Sequence, residues 1–420
     1  MGRGKHKPQR IGRGWRQQSQ KDDEGDGIGD VLPSSAFDIS LSPSPDAKSF
    51  SLGEKEEARD DAHYLSQGPS KYQLYQDSVQ SPKGDISYLQ KFFLQYIGGR
   101  SPMHLREDFC STALICAEWL KGGIHRVATG LDLDLEALTW GLSNNFTKVG
   151  GSACTRVCLL HGDVLKPLSS AKLVSLSTDA KLNETKNKDL ECNPSFKVDE
   201  GHDDIDALCT NLNGSDLADS SAKFLNEKCS KEDLIYEPAE CHSEFDGKRL
   251  WPAIDVACAF NYSCCCLHDR ADLLLYFKYV RSSLSEKGGI FSMDLYGGVS
   301  SEGPLKLYRH FHDFTYIWEQ DTFDIISRMT KISLHFRLKN NRMIRHAFTY
   351  NWRLWSLPEV HDCLKEAGFD SVHFWIRRMP SQEEIEGYED EWDDKYVEST
   401  EYCQGNSWNA YIVGVAHPRI

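Results

Sequence analysis

His104-Leu-Arg-Glu-Asp-Phe-Cys-Ser-Thr-Ala113, running on into Leu114-Ile-Cys-Ala-Glu-Trp-Leu120, is the stretch that decides how this chain is read. Pro102 breaks the chain, a short apolar strand follows at Met103–Leu105, and past the polar turn Ala113, Cys116, Ala117 and Leu120 recur at helix spacing. A strand that turns through small residues into a helix brings backbone amides and the positive helix end up to a ligand. Cys110, Ser111, Thr112 and Ala113 are all small, so Glu107–Ala113 is the candidate cofactor loop.

Working outward, Val127-Ala-Thr-Gly-Leu-Asp132 reads as the second strand. It ends in a carboxylate 25 positions after Glu107, near the spacing at which an acidic residue grips a ribose diol. Asp134 reads as the N-cap of the next helix. His161-Gly-Asp163 ends a third strand, where Asp163 is placed to accept from an adenine amino group. Ile254–Phe260 reads as a buried strand, and a helix from Asp269 carries Leu273, Phe277, Val280 and Leu284 on one face before Lys287-Gly288-Gly289 and the strand Ile290–Leu295. This strand-helix-strand rhythm predicts right-handed crossovers and a parallel sheet.

Phe314–Glu319, Arg328–Leu338 and Arg342–Trp352 are strand-like and joined by polar turns, which predicts an added antiparallel layer. In the last of these, Tyr350, Trp352 and Leu354 share one face by period two, and Phe348–Trp355 reads either as a wall for an aromatic or cationic substrate or as a stabilising strand. His310 and His312, flanking Phe311, read as structural histidines in a helix or turn. Ser356-Leu-Pro-Glu359 has the capping-box pattern, with Val360, Cys363, Leu364 and Ala367 following before Gly368. Ser371–Ile376 and Asn409–Ala416 close the chain as strands, and the acidic run Glu383–Glu401 between them reads as a solvated loop.

Composition sets the frame. The chain has 420 residues, a net charge of -15 and 40% hydrophobic residues, enough for a sizeable core but not for a surface that coats nucleic acid. Four regions result: a disordered arm at 1–70, the first part of a domain at 71–168, an acidic disordered insertion at 169–250, and the second part at 251–420. The arm's tip, Met1–Arg16, is basic, which suits RNA contact or nuclear import as well as a plain solvated tail. His6 stands where a myristoylation motif wants Ser or Thr, and neither a signal segment nor an apolar run of membrane length is read, so the expected setting is intracellular, cytoplasmic or nuclear. The 14 cysteines then read as reduced thiols. No metal site is read from Cys258 and Cys264–Cys266, because consecutive strand residues point to opposite faces.

With these residues in place, the chain resembles the class I S-adenosylmethionine-dependent methyltransferases, and within them a branch with Arg-Glu-Asp-Phe-Cys-Gly-Thr-Ala in the cofactor loop. The resemblance covers Lys71–Leu168 and Trp251–Ala416. It implies an α/β fold with a Rossmann-like doubly wound sheet, mostly parallel with an antiparallel last strand, and S-adenosyl-L-methionine as cofactor. It implies Glu107 as the acid of the first motif, Asp132 as the ribose carboxylate and Asp163 as the adenine-side acid, with Phe109, Cys110, Ser111, Leu133, Val164 and Ala259 around the cofactor. Lys71–Gln80 resembles a leader that folds over it, offering Tyr72, Tyr75 and Gln80. Ala259-Phe-Asn-Tyr-Ser263 matches the motif at the active-site mouth, and Phe291–Gly298 the strand after it, so Asn261, Tyr262, Asp294 and Tyr296 are the expected substrate-side residues. The family's loop reads Glu-x-Gly-x-Gly-x-Gly; here Phe109, Ser111 and Ala113 stand in the three glycine places, and Ser111 also replaces the glycine of the nearer branch.

A sulfonium methyl is already activated, so the expected task of the protein is to align a nucleophile and exclude water. The acceptor, a small molecule or a protein side chain, is not legible. A methyltransferase-like binding protein with little catalysis is the second reading, motivated by the glycine places. A nicotinamide-dependent dehydrogenase, which shares the loop and the ribose acid, is the third.

Overall fold

The computed structural model describes residues 68–150, 153, 155–174, 253–379 and 395–419. The expected arm up to residue 67, most of the expected insertion and the larger part of the acidic run lie outside the described residues. Helices α1 (Lys71–Val79) and α2 (Pro82–Tyr96) lead in. The Ser70 hydroxyl caps α1 by accepting the Gln73 N–H at 3.2 Å, and Pro82 opens α2 where a missing N–H costs nothing. Then come β1 (His104–Asp108), α3 (Leu114–Lys121), β2 (Val127–Asp132), α4 (Leu135–Asn144), β3 (Val157–His161) and β4 (Lys172–Leu173). After the undescribed stretch follow β5 (Val256–Ala259), α5 (Arg270–Ser283), β6 (Gly289–Gly297), β7 (Leu305–His310), β8 (Phe314–Gln320), β9 (Met329–Leu338) and β10 (Met343–Arg353). Helix α6 (Leu357–Glu366) and strands β11 (Ser371–Met379), β12 (Val397–Glu398) and β13 (Ser407–Ala416) complete the set.

Nine strands form one sheet in the order β12-β11-β13-β6-β5-β1-β2-β3-β4. Strand β1 pairs in parallel with β2 on one side and β5 on the other, so the chain segments before and after residues 175–252 build a single sheet. Strand β13 runs antiparallel between β6 and β11, the antiparallel last strand that was expected. Its side chains alternate between the two layers: Ala410, Ile412 and Ala416 join one core, Tyr411, Val413 and Val415 the other. Helices α2, α3 and α4 cover the second of these faces through Phe92, Phe93, Trp119 and Leu138, while α5 and α6 cover the first through Leu273, Phe277, Val360 and Leu364. The sheet is therefore doubly wound. Among the described residues no helix is long and apolar enough to cross a membrane.

Three boundaries differ from the sequence reading. Strand β1 does not stop at Leu105 but continues through Asp108, with all five residues buried. Charged letters look like loop, yet each is partnered: Arg106 Nε lies 2.8 Å from Asp108 Oδ1, and His104 Nε2 lies 2.9 Å from Thr129 Oγ1. Lys172–Leu173 still pairs with β3, so the sheet reaches past the expected start of the insertion at residue 169. The residues around His310 are a strand, β7, with His312 in the turn after it, not a helix.

Strand β7 joins β8, β9 and β10 in a four-stranded antiparallel sheet of order β10-β9-β8-β7, the added layer that was expected. It hides in the sequence because the inward row Leu305, Leu307, Arg309 contains a cation. That guanidinium is buried, and its Nη1 donates to the Ser78 carbonyl at 3.0 Å, which ties this sheet to the end of α1. The inward faces of β8, β9 and β10 bring Tyr316, Trp318, Leu334, Phe336 and Trp352 against the core under β5 and β6.

Candidate functional site

Strand β1 has parallel neighbours on both sides, β2 next in the chain on one and β5 added later on the other, so the order of strands reverses at β1. A crevice opens at such a switch point. The turn that leaves β1 alternates in handedness: Phe109, Ser111 and Ala113 have φ of 54°, 48° and 53°. These are the three glycine places, so the backbone takes the left-handed conformation that glycine would favour although each residue carries a side chain. Holding a non-glycine residue there costs about 1–2 kcal/mol apiece, and the surroundings impose it. Cys110 N–H donates to Leu131 O at 3.1 Å, Ala113 N–H to Cys110 O at 2.7 Å, and Asn145 Nδ2 to Thr112 O at 2.9 Å. Helix α4 presses on the same turn at Gly141, where a Cβ would collide with the Thr112 carbonyl.

Asp132, at the end of β2, closes this loop from the other side. Its Oδ2 accepts the Ser111 N–H at 2.6 Å and its Oδ1 the Asp134 N–H at 2.7 Å, while burial pushes its carboxyl above the usual range. The Leu133 backbone N–H also bonds this carboxylate. Glu107 is buried, and burial drives it from the ordinary 4.5 up to about 8 against the opposing hydrogen bond from the Cys116 N–H at 2.9 Å. Asp134 is the N-cap of α4, as expected, taking the Ala137 N–H at 3.0 Å. It also accepts the Tyr72 hydroxyl at 3.4 Å.

On the β5 side, Asn261 and Tyr262 are both left-handed, with φ of 58° and 60°. Asp294 on β6 holds them: its Oδ2 accepts the Asn261 N–H at 2.9 Å and its Oδ1 the Tyr262 N–H at 2.7 Å. Burial pushes the Asp294 carboxyl up from 3.8 to about 8. Helix α1 lies over the crevice. Gln76 Nε2 donates to Thr112 Oγ1 at 2.6 Å, and the Tyr75 ring meets Phe348 at 5.1 Å between centroids. Tyr350 stacks on Trp352 at 5.1 Å and 23°, so the inward row of β10 forms the far wall.

These parts enclose a cavity of about 290 Å³. Of the residues singled out from the sequence, Tyr75, Gln80, Glu107, Phe109, Cys110, Ser111, Asp132, Leu133, Val164 and Asn261 line it. Six others do not, which corrects their expected position; Tyr72 turns its hydroxyl to Asp134 instead. Ala259 is fully buried within β5. The Asp163 carboxylate turns back to the Leu165 N–H at 2.9 Å and Lys166 at 3.5 Å, leaving its neighbours Gly162 and Val164 on the wall. Asp294 is spent on the Asn261–Tyr262 turn. Tyr262 is buried with its hydroxyl donating to Asn409 Oδ1 at 2.9 Å, and Tyr296 is buried with its hydroxyl 3.3 Å from Gln320 Oε1. Parallel strands point alternate residues to opposite faces, and the letters alone do not say which face is which.

The lining also includes Asp108, Asp134, Phe260, Ser263, Cys266, Phe348, Tyr350 and Trp352. Period-two alternation already put Tyr350 and Trp352 on one face; what it could not tell was that this face looks into the cavity. His310 and His312 lie away from it, the one 3.2 Å from Thr315 Oγ1 and the other beside Asp313.

No protein-family model matches the chain, and no curated protein is similar to it in sequence. Solved structures with a similar course of backbone include an S-adenosylmethionine-dependent methyltransferase from Clostridium acetobutylicum, at 11% identity over 74% of this chain and 83% of that one, with a TM-score of 0.38. A sugar N-methyltransferase from Streptoalloteichus sp. is similar at 11% identity over 88% and 99%, with a TM-score of 0.44. An amino pentose methyltransferase from Micromonospora echinaspora, solved with S-adenosylmethionine bound, is similar at 8% identity over 86% and 99%, with a TM-score of 0.39.

Proposed function

We propose that this chain is an S-adenosylmethionine-dependent methyltransferase of the class I type. One observation carries the reading: the β1 turn, with its three left-handed residues, and Asp132 face one cavity at the switch point of a doubly wound sheet whose last strand is antiparallel. The residues fit the cofactor. Asp132 offers its carboxylate, on the cavity wall at the end of β2, to a ribose diol. Among the described residues lining the cavity are four carboxyl groups, Glu107, Asp108, Asp132 and Asp134, and no Lys, Arg or His, which suits a ligand bearing a sulfonium and an ammonium. The faces of Tyr75, Phe348 and Tyr350 add attraction for a cation.

When bound, the cofactor supplies a methyl group activated by positive sulfur. Asp132 and Ser111 hold the nucleoside end in this reading, and Glu107 helps to hold the amino-acid end. Helix α1, fastened by Gln76 to Thr112 and by Ser78 to Arg309, covers the cavity and keeps water out. Asn261 stands at the mouth, set by the Asp294 clamp, and orients the acceptor. The left-handed backbone at Phe109, Ser111 and Ala113 supports this reading over a merely vestigial site, since the conformation that glycines would supply is present.

Calorimetric titration of the purified protein with S-adenosylmethionine, S-adenosylhomocysteine and NAD tests the reading. The first two are expected to bind and NAD to fail, and Asp132→Ala is expected to weaken the first two at least tenfold, about the contribution of a charge-assisted bidentate contact. Tighter binding of NAD, or full affinity in the variant, would sink the proposal.

A further inference from the structure

Away from the cavity, one cluster links a hydroxyl, an imidazole and a carboxylate in a row. Ser371 and His373 share a face of β11 by period two, and His373 Nε2 lies 2.9 Å from Ser371 Oγ. His373 Nδ1 lies 2.9 Å from Glu398 Oε1 on β12. An ionised carboxylate only accepts, so it fixes the imidazole proton on Nδ1; Nε2 is left as an acceptor and turns the Ser371 O–H toward itself. Burial works against ionisation of Glu398, but bonds from the Tyr96 hydroxyl at 2.7 Å, from His373 and from Gln95 Nε2 at 2.9 Å hold its carboxyl below the ordinary range. The Tyr96 ring also stacks on the imidazole at 4.0 Å and 22°, which sets the plane of the ring.

The backbone adds a fourth part. The Phe374 carbonyl accepts the Ser399 N–H at 2.9 Å, so the peptide groups of Phe374, and by alternation those of Val372, point to the β12 edge and not to β13. Strand β12 pairs only with Trp375 and Ile376, which leaves the Val372 N–H on an open edge among the described residues, one position past the hydroxyl. Ser371 is half-buried, and the side chains of His373 and Glu398 are 27% and 36% exposed, so a small molecule can reach the cluster. We infer that Ser371, His373 and Glu398 form a separate acyl-transfer site, with Ser371 as nucleophile, His373 as its base and Glu398 as the positioning residue, acting on carboxylic esters with a good leaving group. Nucleophile, base and orienter stand in hydrogen-bond reach in the order such chemistry needs. One backbone donor for the developing oxyanion, where two are usual, restricts the site to activated esters, aryl esters above all. None of the three residues lines the cavity at the β1 switch point, and methyl transfer has no part in this inference.

The step balances. Ser371 Oγ bonds the ester carbonyl carbon while its proton passes to His373 Nε2, and the Val372 N–H meets the charge on the carbonyl oxygen. The bond to the leaving oxygen then breaks with its electrons kept by that oxygen, which takes the proton from His373. Water attacks the acyl-serine in the same way, releasing a carboxylic acid and restoring the Ser371 hydroxyl.

The test uses the full chain and two probes: a fluorophosphonate, with the labelled residue found by peptide mass spectrometry, and 4-nitrophenyl acetate, followed by release of nitrophenol. Label on Ser371 and saturable turnover are expected. Ser371→Ala and His373→Asn are each expected to lower kcat at least about a hundredfold, and Glu398→Gln, which disturbs only the setting of the imidazole, about tenfold with KM unchanged. A fluorophosphonate that leaves Ser371 unmodified in the unaltered chain, no saturable turnover of the ester, or turnover unchanged in Ser371→Ala would overturn the inference. A cluster that merely ties β12 to α2 would give the first two of these results, with a lower melting temperature in Glu398→Gln as its sole effect.

Discussion

Ser111 shows what a single residue endures at this site: a left-handed φ of 48°, fixed because its N–H is held by Asp132. Glycine takes that conformation freely. Ser111→Gly is therefore expected to raise stability by about 1 kcal/mol, less some chain entropy, and thermal unfolding measures it. A fall in melting temperature would mean that the hydroxyl has a partner worth more than the strain. Asp294 is the counterpart across the crevice, since its two oxygens hold two successive left-handed residues. Removing both acceptors in Asp294→Ala is expected to cost about 2–4 kcal/mol and to disorder the Asn261 side of the cavity, with denaturant unfolding as the check. Asp294→Asn keeps one acceptor and is expected to fall between.

Among the elements, α6 is the one whose start was fully written in its letters. The Ser356 hydroxyl faces the Glu359 N–H at 3.4 Å, and Glu359 Oε2 takes the Ser356 N–H at 3.0 Å in return. Ser356→Ala is expected to cost about 1 kcal/mol, measured by denaturant unfolding, without altering cofactor affinity, because α6 packs on α5 away from the cavity. Helix α1 depends instead on contacts with the rest of the molecule. Its ties run to Thr112, Asp134 and Ser78–Arg309, and its own sequence has little amphipathic pattern, which is why it reads only as a resemblance until it is seen lying over the cavity. Gln76→Ala is expected to speed release of S-adenosylhomocysteine in stopped-flow fluorescence more than it slows association, since the lid's fastening to Thr112 exists only when closed.

At the scale of the whole molecule, Glu107 and Asp294 share one property: burial holds both carboxyls near 8, against ordinary values of 4.5 and 3.8. The folded chain therefore binds more protons than the unfolded chain between about pH 4 and pH 8. Stability from these two groups is fully present below about pH 4, falls as pH rises through that window, and levels off above about pH 8. Thermal melts from pH 5 to 8 are expected to show a declining melting temperature, shallower in Glu107→Gln; a rising one would mean both carboxyls are ionised when folded. The sheet is also one unit although residues 175–252 separate its strands in the chain, because β1 pairs with β2 and β5 alike. Replacing residues 175–252 by a flexible linker is expected to leave a single cooperative transition, and two resolved transitions would contradict it.

What the letters settled by themselves is the alternation of elements and the order of their chemistry. The period-two and helix-period patterns put Asp132 at the end of β2 and found Asp134 as a cap, because local spacing is a direct consequence of backbone geometry, while the antiparallel last strand was implied only by the family resemblance. Ten residues named from the sequence do line the cavity, since the end of a strand at a switch point fixes where its loop must lie. Tertiary structure decided the rest. It assigned Asp294 to a backbone clamp, turned Tyr262 and Tyr296 into the core and brought Tyr350 and Trp352 round to the site, because which face of a strand is buried, and against what, depends on residues far away in sequence. It also gave the Glu107–Ala113 turn its glycine-like backbone without glycines, an outcome that long-range hydrogen bonds to Leu131 and Asp132 and from Asn145 impose and no local propensity would predict.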